Sequence, residues 1–198
     1  EMGAGSSYFF FPAEKPINAN LPPTILKWGK LFGKGNAAAF DAQGWEYYTA
    51  EDFDLFYPSY GYSWPSLNGA TGMTYEQAGG GRGGLVARLR EGQGEVTLRD
   101  RAWHHFTTSL ATLETTANHR EARLLDFYEF HRAALRAGSE GPIHEIYLLA
   151  GKDPARSAQL IDRLLRQGIE VQQASEPLAA NDVRDYAGSV LGDKRFPA

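Results

Sequence analysis

The chain has 198 residues, of which 42% are hydrophobic and 22% charged, and a formal net charge of -4. That length holds one good core or two small ones, and the lack of a basic patch argues against a nucleic-acid partner. No apolar stretch approaches the roughly 18–20 residues that cross a bilayer, and without any cysteine disulfides, thiol catalysis and thiolate metal sites are excluded.

The chain opens on Glu1-Met2-Gly3 with no leader pattern, and reads as a cut or processed chain. Tyr8 to Phe11 form a compact apolar run, an extended segment. Pro12, Pro16, Pro22 and Pro23 then block helix until Thr24. Ile25, Trp28 and Phe32 recur at helical spacing, with Pro23 in the first turn and Gly33 as the expected C-cap. Residues 36–72 are rich in Gly, Ser, Pro and aromatics and offer only short strand candidates. A long irregular stretch is functional or disordered, and its aromatic content speaks against disorder. The aromatic runs at 8–11, 45–48 and 53–64 read either as core or as the lining of a cleft.

Met73 to Glu76 reads as a short strand ending in a carboxylate. Gly79 to Gly84 follows as a flexible loop, beside a cleft or simply on the surface. It satisfies G-x-G-x-x-G in form, but no helix opens after it, so a dinucleotide site is rejected. From about Asp100 to Ala137, Trp103, Phe106, Leu110, Leu113, Ala117, Leu124, Phe127 and Leu135 trace an apolar stripe. The stripe predicts one long helix, or two joined near Asn118, ended by Gly138 and Gly141-Pro142. Beyond it, Ile146–Ala150 reads as a strand and Asp153-Pro154 as a helix start. Ala155–Gln167 is then a helix capped by Gly168, and Ile169–Val171 a second strand. Together these predict a parallel β-α-β unit over 142–198 with no further strand after it.

Five histidines are present, His104, His105, His119, His131 and His144, and none sits in His-Glu-x-x-His. The adjacent pair on the long helix reads as solvated or packed. No G-x-S-x-G elbow is present, and Glu51, Asp52 and Asp54 read as solvated or capping loop carboxylates. Glu76 stands apart in context. It ends an apolar strand between an aromatic loop and a glycine loop, where a carboxylate can project into a cleft on a rigid backbone. Burial there raises a carboxyl toward the range of a general base.

The stretch Tyr57-Pro-Ser-Tyr60-Gly-Tyr62-Ser-Trp64, followed by Gly72-Met-Thr-Tyr-Glu76, resembles the end of the catalytic domain of carboxypeptidase A-like zinc peptidases. In that family a tyrosine-bearing loop precedes a strand whose glutamate activates a zinc-bound water. The resemblance implies Glu76 as the catalytic glutamate and Tyr57 as the tyrosine that covers substrate, with Tyr60 and Tyr62 close by. It extends over about residues 1–137 and implies an α/β fold, the C-terminal portion of a mixed-sheet α/β/α domain. The zinc ligands and the residues that hold the substrate's terminal carboxylate would lie upstream, so the chain alone would be inactive. Residues 142–198 resemble the opening of a flavodoxin-like or class I amidotransferase-like domain. The implied protein is a bacterial, periplasmic or secreted peptidase acting on a peptide substrate. Self-association or packing against a missing N-terminal segment is expected to cover its open sheet edge. The rival reading is a non-catalytic peptide- or glycan-binding module derived from a degenerate peptidase.

Overall fold

The computed structural model describes residues 7–79, 84–88, 94–149 and 151–197. Residues 1–6, with the opening Glu1-Met2-Gly3, and residues 80–83 of the glycine loop lie outside the described residues. The chain mixes α and β elements and divides into two compact units, Glu1–Pro142 and Ile143–Ala198.

In the first unit, the apolar run forms strand β1 (Tyr8–Phe10), whose residues are all fully buried. A run that is apolar at every position has to be covered on both faces. One face carries Phe9, which packs with Phe11, Leu21 and Leu55 and with the rings of Tyr48, Phe53 and Tyr62. The other carries Tyr8 and Phe10, packed on Phe40, Trp45, Tyr47 and Tyr75. β2 (Glu14–Ile17) pairs in parallel with β3 (Asp54–Leu55). β4 (Tyr75–Gln77) pairs antiparallel with β1, setting Tyr8 opposite Gln77, Phe9 opposite Glu76 and Phe10 opposite Tyr75. The strand expected to end at Glu76 thus carries that residue at its centre.

Helix α1 (Pro23–Asp41) starts with Pro23 in its first turn and buries Ile25, Trp28, Gly29, Phe32, Gly33, Asn36 and Phe40 along one face. It does not stop at Gly33 as the sequence suggested. Gly33 is present because a Cβ there would lie 2.2 Å from the Phe11 carbonyl oxygen. The following Ala37-Ala38-Ala39 favours continued helix. Short α2 (Ser63–Leu67) interrupts the aromatic loop, and β5 (Val86–Arg88) and β6 (Glu95–Thr97) form a small antiparallel pair.

The long helical stretch is two helices, α3 (Leu98–Asn118) and α4 (Arg120–Glu140), separated at His119. A capping box opens α3. Thr97 Oγ1 accepts from the Asp100 amide at 3.2 Å, and Asp100 Oδ2 accepts from the Thr97 amide at 2.9 Å. α3 packs on α1 and buries Arg101, His104, Thr108 and Ala111. The predicted apolar stripe is not its buried face. Trp103, Phe106, Leu110 and Leu113 repeat the same spacing two residues later and are 50–65% exposed.

In the second unit, α5 (Pro154–Arg166) is capped by Asp153, whose Oδ1 accepts from the Arg156 amide at 3.2 Å, and Gly168 follows it with φ +75°. The expected flanking strands do not form: among the described residues, 143–149 and 169–171 carry no strand. Ile146 stays 81% exposed, and a parallel pair needs an apolar bed that this unit does not provide. The unit's sheet is instead a hairpin that the sequence reading missed, β7 (Leu178–Arg184) antiparallel to β8 (Val190–Phe196). Its turn is closed locally by Asp185 and Gly188, the latter at φ +89°. Such a short loop costs little closure entropy.

Candidate functional site

The antiparallel register makes Glu76 share a face with Phe9, because directly opposed residues point the same way. Glu76 is half-buried there, with Thr74 Oγ1 3.5 Å from its Oε1. The strand position fixes its backbone, and the Phe9 cluster supplies an apolar bed beneath it. Tyr62 packs against that cluster and meets Phe11 edge-on at 5.5 Å between ring centroids. Burial, reinforced by the charges of Asp54 and Glu76 and by the neighbouring Tyr60, pushes the Tyr62 hydroxyl up to about 12. Tyr62 is therefore a neutral hydrogen-bond donor at any physiological pH, within electrostatic reach of Glu76.

Tyr57 and Tyr60 lie farther out, 55% and 41% exposed. They connect to Tyr62 as a ladder of rings: Tyr57 to Tyr60 at 5.6 Å, then Tyr60 to Tyr62 at 5.6 Å. Tyr62 is the tyrosine that joins the loop to Glu76, and the sequence reading passed over it in favour of its neighbours. The Tyr60-x-Tyr62 repeat was visible, but which ring turns inward depends on burial that spacing does not encode.

The opposite face of the same strand pair is a polar network against α3. Tyr8 Oη lies 2.8 Å from both His105 Nδ1 and Thr108 Oγ1. His104 Nδ1 lies 2.5 Å from Gln77 Oε1, and Gln77 Nε2 donates to the Ser7 carbonyl at 2.9 Å. Tyr75 Oη lies 2.6 Å from Thr112 Oγ1 and accepts from Asn36 Nδ2 at 3.3 Å. Burial lowers His104 and His105 below the usual imidazole range; Asp100 partly offsets this for His104 and Glu76 for His105. Burial also pushes the Tyr8 hydroxyl up. This histidine pair is packed and hydrogen-bonded, with the His104 ring also against Trp45 at 4.5 Å.

Among the described residues, no group of three or more His, Asp or Glu side chains could hold a metal ion. The described side chains do not fit a zinc centre by themselves. Glu51 is exposed, and Asp52 and Asp54 make local hydrogen bonds in the loop. Asp52 Oδ2 accepts from Tyr48 Oη at 3.1 Å, and Asp54 Oδ1 accepts from the Phe56 amide at 2.8 Å. Compared with protein-family models, curated proteins and solved structures, the chain finds no match in any of the three.

Proposed function

We propose that this chain is the general-base portion of a zinc-dependent peptide hydrolase of the carboxypeptidase A-like kind, inactive alone, with the metal held by residues outside it. The observation that carries this reading is the position of Glu76. It is a half-buried carboxylate at the centre of a rigid strand, on the same face as Phe9 and within electrostatic reach of Tyr62. In this reading β1 and β4 are the last strands of a larger mixed sheet and α3 is its closing helix. Residues 143–198 form a separate unit, and among its described residues the β-α-β opening of a flavodoxin-like or amidotransferase-like domain is not formed. A bacterial, periplasmic or secreted setting belongs to the same reading.

The chemistry assigned to this chain's own residues is proton movement and substrate cover. Glu76 takes a proton from the attacking water as its oxygen bonds to the peptide carbonyl carbon. It returns that proton to the amine nitrogen as the carbon–nitrogen bond breaks. Tyr62, neutral at working pH, donates a hydrogen bond to an oxygen of the bound peptide, while Tyr57 and Tyr60 close over it. The described residues do not form the metal's site. The exposed stripe on α3 supports the expectation that a second copy or an upstream segment covers this face.

The test is zinc stoichiometry by elemental analysis, with release of C-terminal residues from peptides, on the protein carrying its upstream residues. About one zinc per chain is expected, with turnover lost in Glu76→Gln while zinc is retained. Absence of zinc after reconstitution overturns the enzyme reading. It leaves the second reading, a non-catalytic peptide- or glycan-binding module, which the exposed rings of the 56–64 loop favour.

A further inference from the structure

The loop that leads to Glu76 carries more aromatic surface than covering a peptide backbone requires. Phe56, Tyr57, Tyr60 and Trp64 are 41–55% exposed on one short stretch. Their rings are organised, since the Tyr57–Tyr60–Tyr62 ladder runs from solvent to Phe11 in the core in steps of 5.5–5.6 Å. A contiguous exposed aromatic patch marks a surface that meets a ligand.

The charge along the loop favours a cation: among the described residues, the one guanidinium shown to reach it, Arg123 on the Gly69 carbonyl, is already paired with Asp126. From Gly35 to Gly81 the sequence contains no Lys, Arg or His, but six carboxylates: Asp41, Glu46, Glu51, Asp52, Asp54 and Glu76. Asp54 opens β3 and, with Glu76, acts on the Tyr62 ring from close by. Glu14 of β2 is paired in register with Asp54. Lys15, exposed on β2, is the one basic residue between Ser7 and Pro22. Ring faces carry negative electrostatic potential and bind cations, with Tyr and Trp the better partners. Carboxylates beside the rings add to that attraction and repel an anion. A neutral sugar would use the rings but would gain nothing from the carboxylate excess.

We propose that this aromatic loop seats the cationic side chain of a peptide, a lysine-type ammonium or arginine-type guanidinium, against Tyr57 and Tyr60, with Asp54 as counter-charge. The inference rests on the peptide-hydrolase reading and names the side chain its substrate carries. It assigns the loop a specificity role that backbone cover by a single tyrosine would not require.

The experiment measures dissociation constants for the full 198-residue chain by intrinsic tryptophan fluorescence. The probes are acetyl-Ala-Ala-Lys-Ala-Ala and the same peptide with norleucine or glutamate in place of lysine. The lysine peptide is expected to bind about tenfold more tightly than the norleucine peptide, with the glutamate peptide weaker still. The preference should shrink between 50 and 200 mM salt, by roughly the screening expected at a partly exposed site. Tyr57→Leu and Tyr60→Leu keep apolar bulk and remove the ring face, and should bring the lysine peptide to the norleucine level. Asp54→Asn keeps the acceptor for the Phe56 amide and should cost about threefold. Thermal melts establish that each variant is folded, and the well-exposed Tyr57 site remains a usable test if Tyr60→Leu is not. Equal affinities for the three peptides, or tighter binding of a chito-oligosaccharide than of the lysine peptide, overturn the inference. Turnover assays on the zinc-loaded protein separate the two readings. Lysine preference without turnover overturns the hydrolase and keeps the cation site. Turnover with equal affinities does the reverse.

Discussion

Three glycines of α1 give opposite expectations for the same substitution. Replacing a glycine inside a helix by alanine gains about 1 kcal/mol in propensity. At Gly29 the new Cβ would meet only Phe11 Cδ1, at 3.8 Å, an ordinary contact. Gly29→Ala should therefore stabilise by about 1 kcal/mol and raise the midpoint by about 3–4 °C. At Gly33 the Cβ would lie 2.2 Å from the Phe11 carbonyl oxygen and 3.1 Å from its carbon, both backbone atoms of the strand exit. Reaching even the roughly 3.3 Å of a tolerated carbon–oxygen contact requires α1 and β1 to separate by about 1 Å. Overpacking of that kind costs about 1–3 kcal/mol, with the upper end expected where backbone must move. Set against the propensity gain, Gly33→Ala should destabilise by about 1–2 kcal/mol and lower the midpoint by about 3–8 °C. Gly35→Ala falls between them, because its obstacle is the Thr115 hydroxyl at 2.4 Å, the end of a side chain that can turn away. Urea and thermal denaturation followed by far-ultraviolet circular dichroism read all three variants. A Gly33→Ala protein that gains stability alongside Gly29→Ala would refute the assigned packing of α1 on the strand.

Three further outcomes follow from the polar face of the strand pair and from the cap of α3. Tyr8→Phe removes the hydroxyl that meets His105 and Thr108, while Thr108 keeps bonds to the carbonyls of His104 and His105 at 3.2 and 3.1 Å. It should cost about 1 kcal/mol in urea unfolding. Thr97→Ala removes one half of the capping box and should lose about 1 kcal/mol. The Asp100 carboxyl, now held low mainly by its hydrogen bonds to Thr97, should rise toward the ordinary range in an NMR titration. His104 is held neutral in the fold by burial, while an unfolded histidine titrates near about 6.5. Below that pH the unfolded chain binds a proton that the native chain refuses. Stability should therefore fall with pH from about 6.5 down to the depressed native value, at up to about 1.4 kcal/mol per pH unit. His104→Gln should flatten this slope, and an unchanged slope between pH 7 and 5 would count against it.

The sequence made legible those elements whose signal is local. The unbroken Tyr8–Phe11 run reads as extended and apolar, the Asp153-Pro154 pair places the start of α5, and of the two alternatives for the long stretch, the pair of helices joined near Asn118 is the one that forms. Features set by distant contacts were not legible. Gly33 looks like a helix stop in one dimension and is a close-approach residue in three, because its partner Phe11 is 22 positions earlier. The β7–β8 hairpin was missed because runs of charge such as Asp193-Lys194-Arg195 break any apolar alternation, and most residues of its strands stay exposed. Ile146–Leu149 has the opposite profile, apolar enough to read as a strand but without a partner edge among the described residues. At the site, Glu76 stands out by its sequence context, whereas the inward turn of Tyr62 is set by packing on the Phe9 cluster.

The inversion of α3 decides how this unit holds together. Of its inner-face residues Arg101, His104, Thr108 and Ala111, His104 and Thr108 hydrogen-bond the strand pair, each bond worth about 0.5–1.5 kcal/mol net, and the His104 ring also packs on Tyr8 and Trp45. Its outer face keeps Trp103 stacked on Phe106 at 5.4 Å, with Leu110 and Leu113 beyond them. Burying such side chains fully is worth about 1.5–3 kcal/mol each. A helix arranged in this way is oriented by directional bonds, which set where Tyr8 and Gln77 sit and so fix the register that puts Glu76 opposite Phe9. Apolar contacts alone would tolerate sliding along the helix, whereas the Tyr8, Gln77 and Tyr75 bonds at three successive turns do not. The polar inner face is therefore the device that positions the candidate carboxylate.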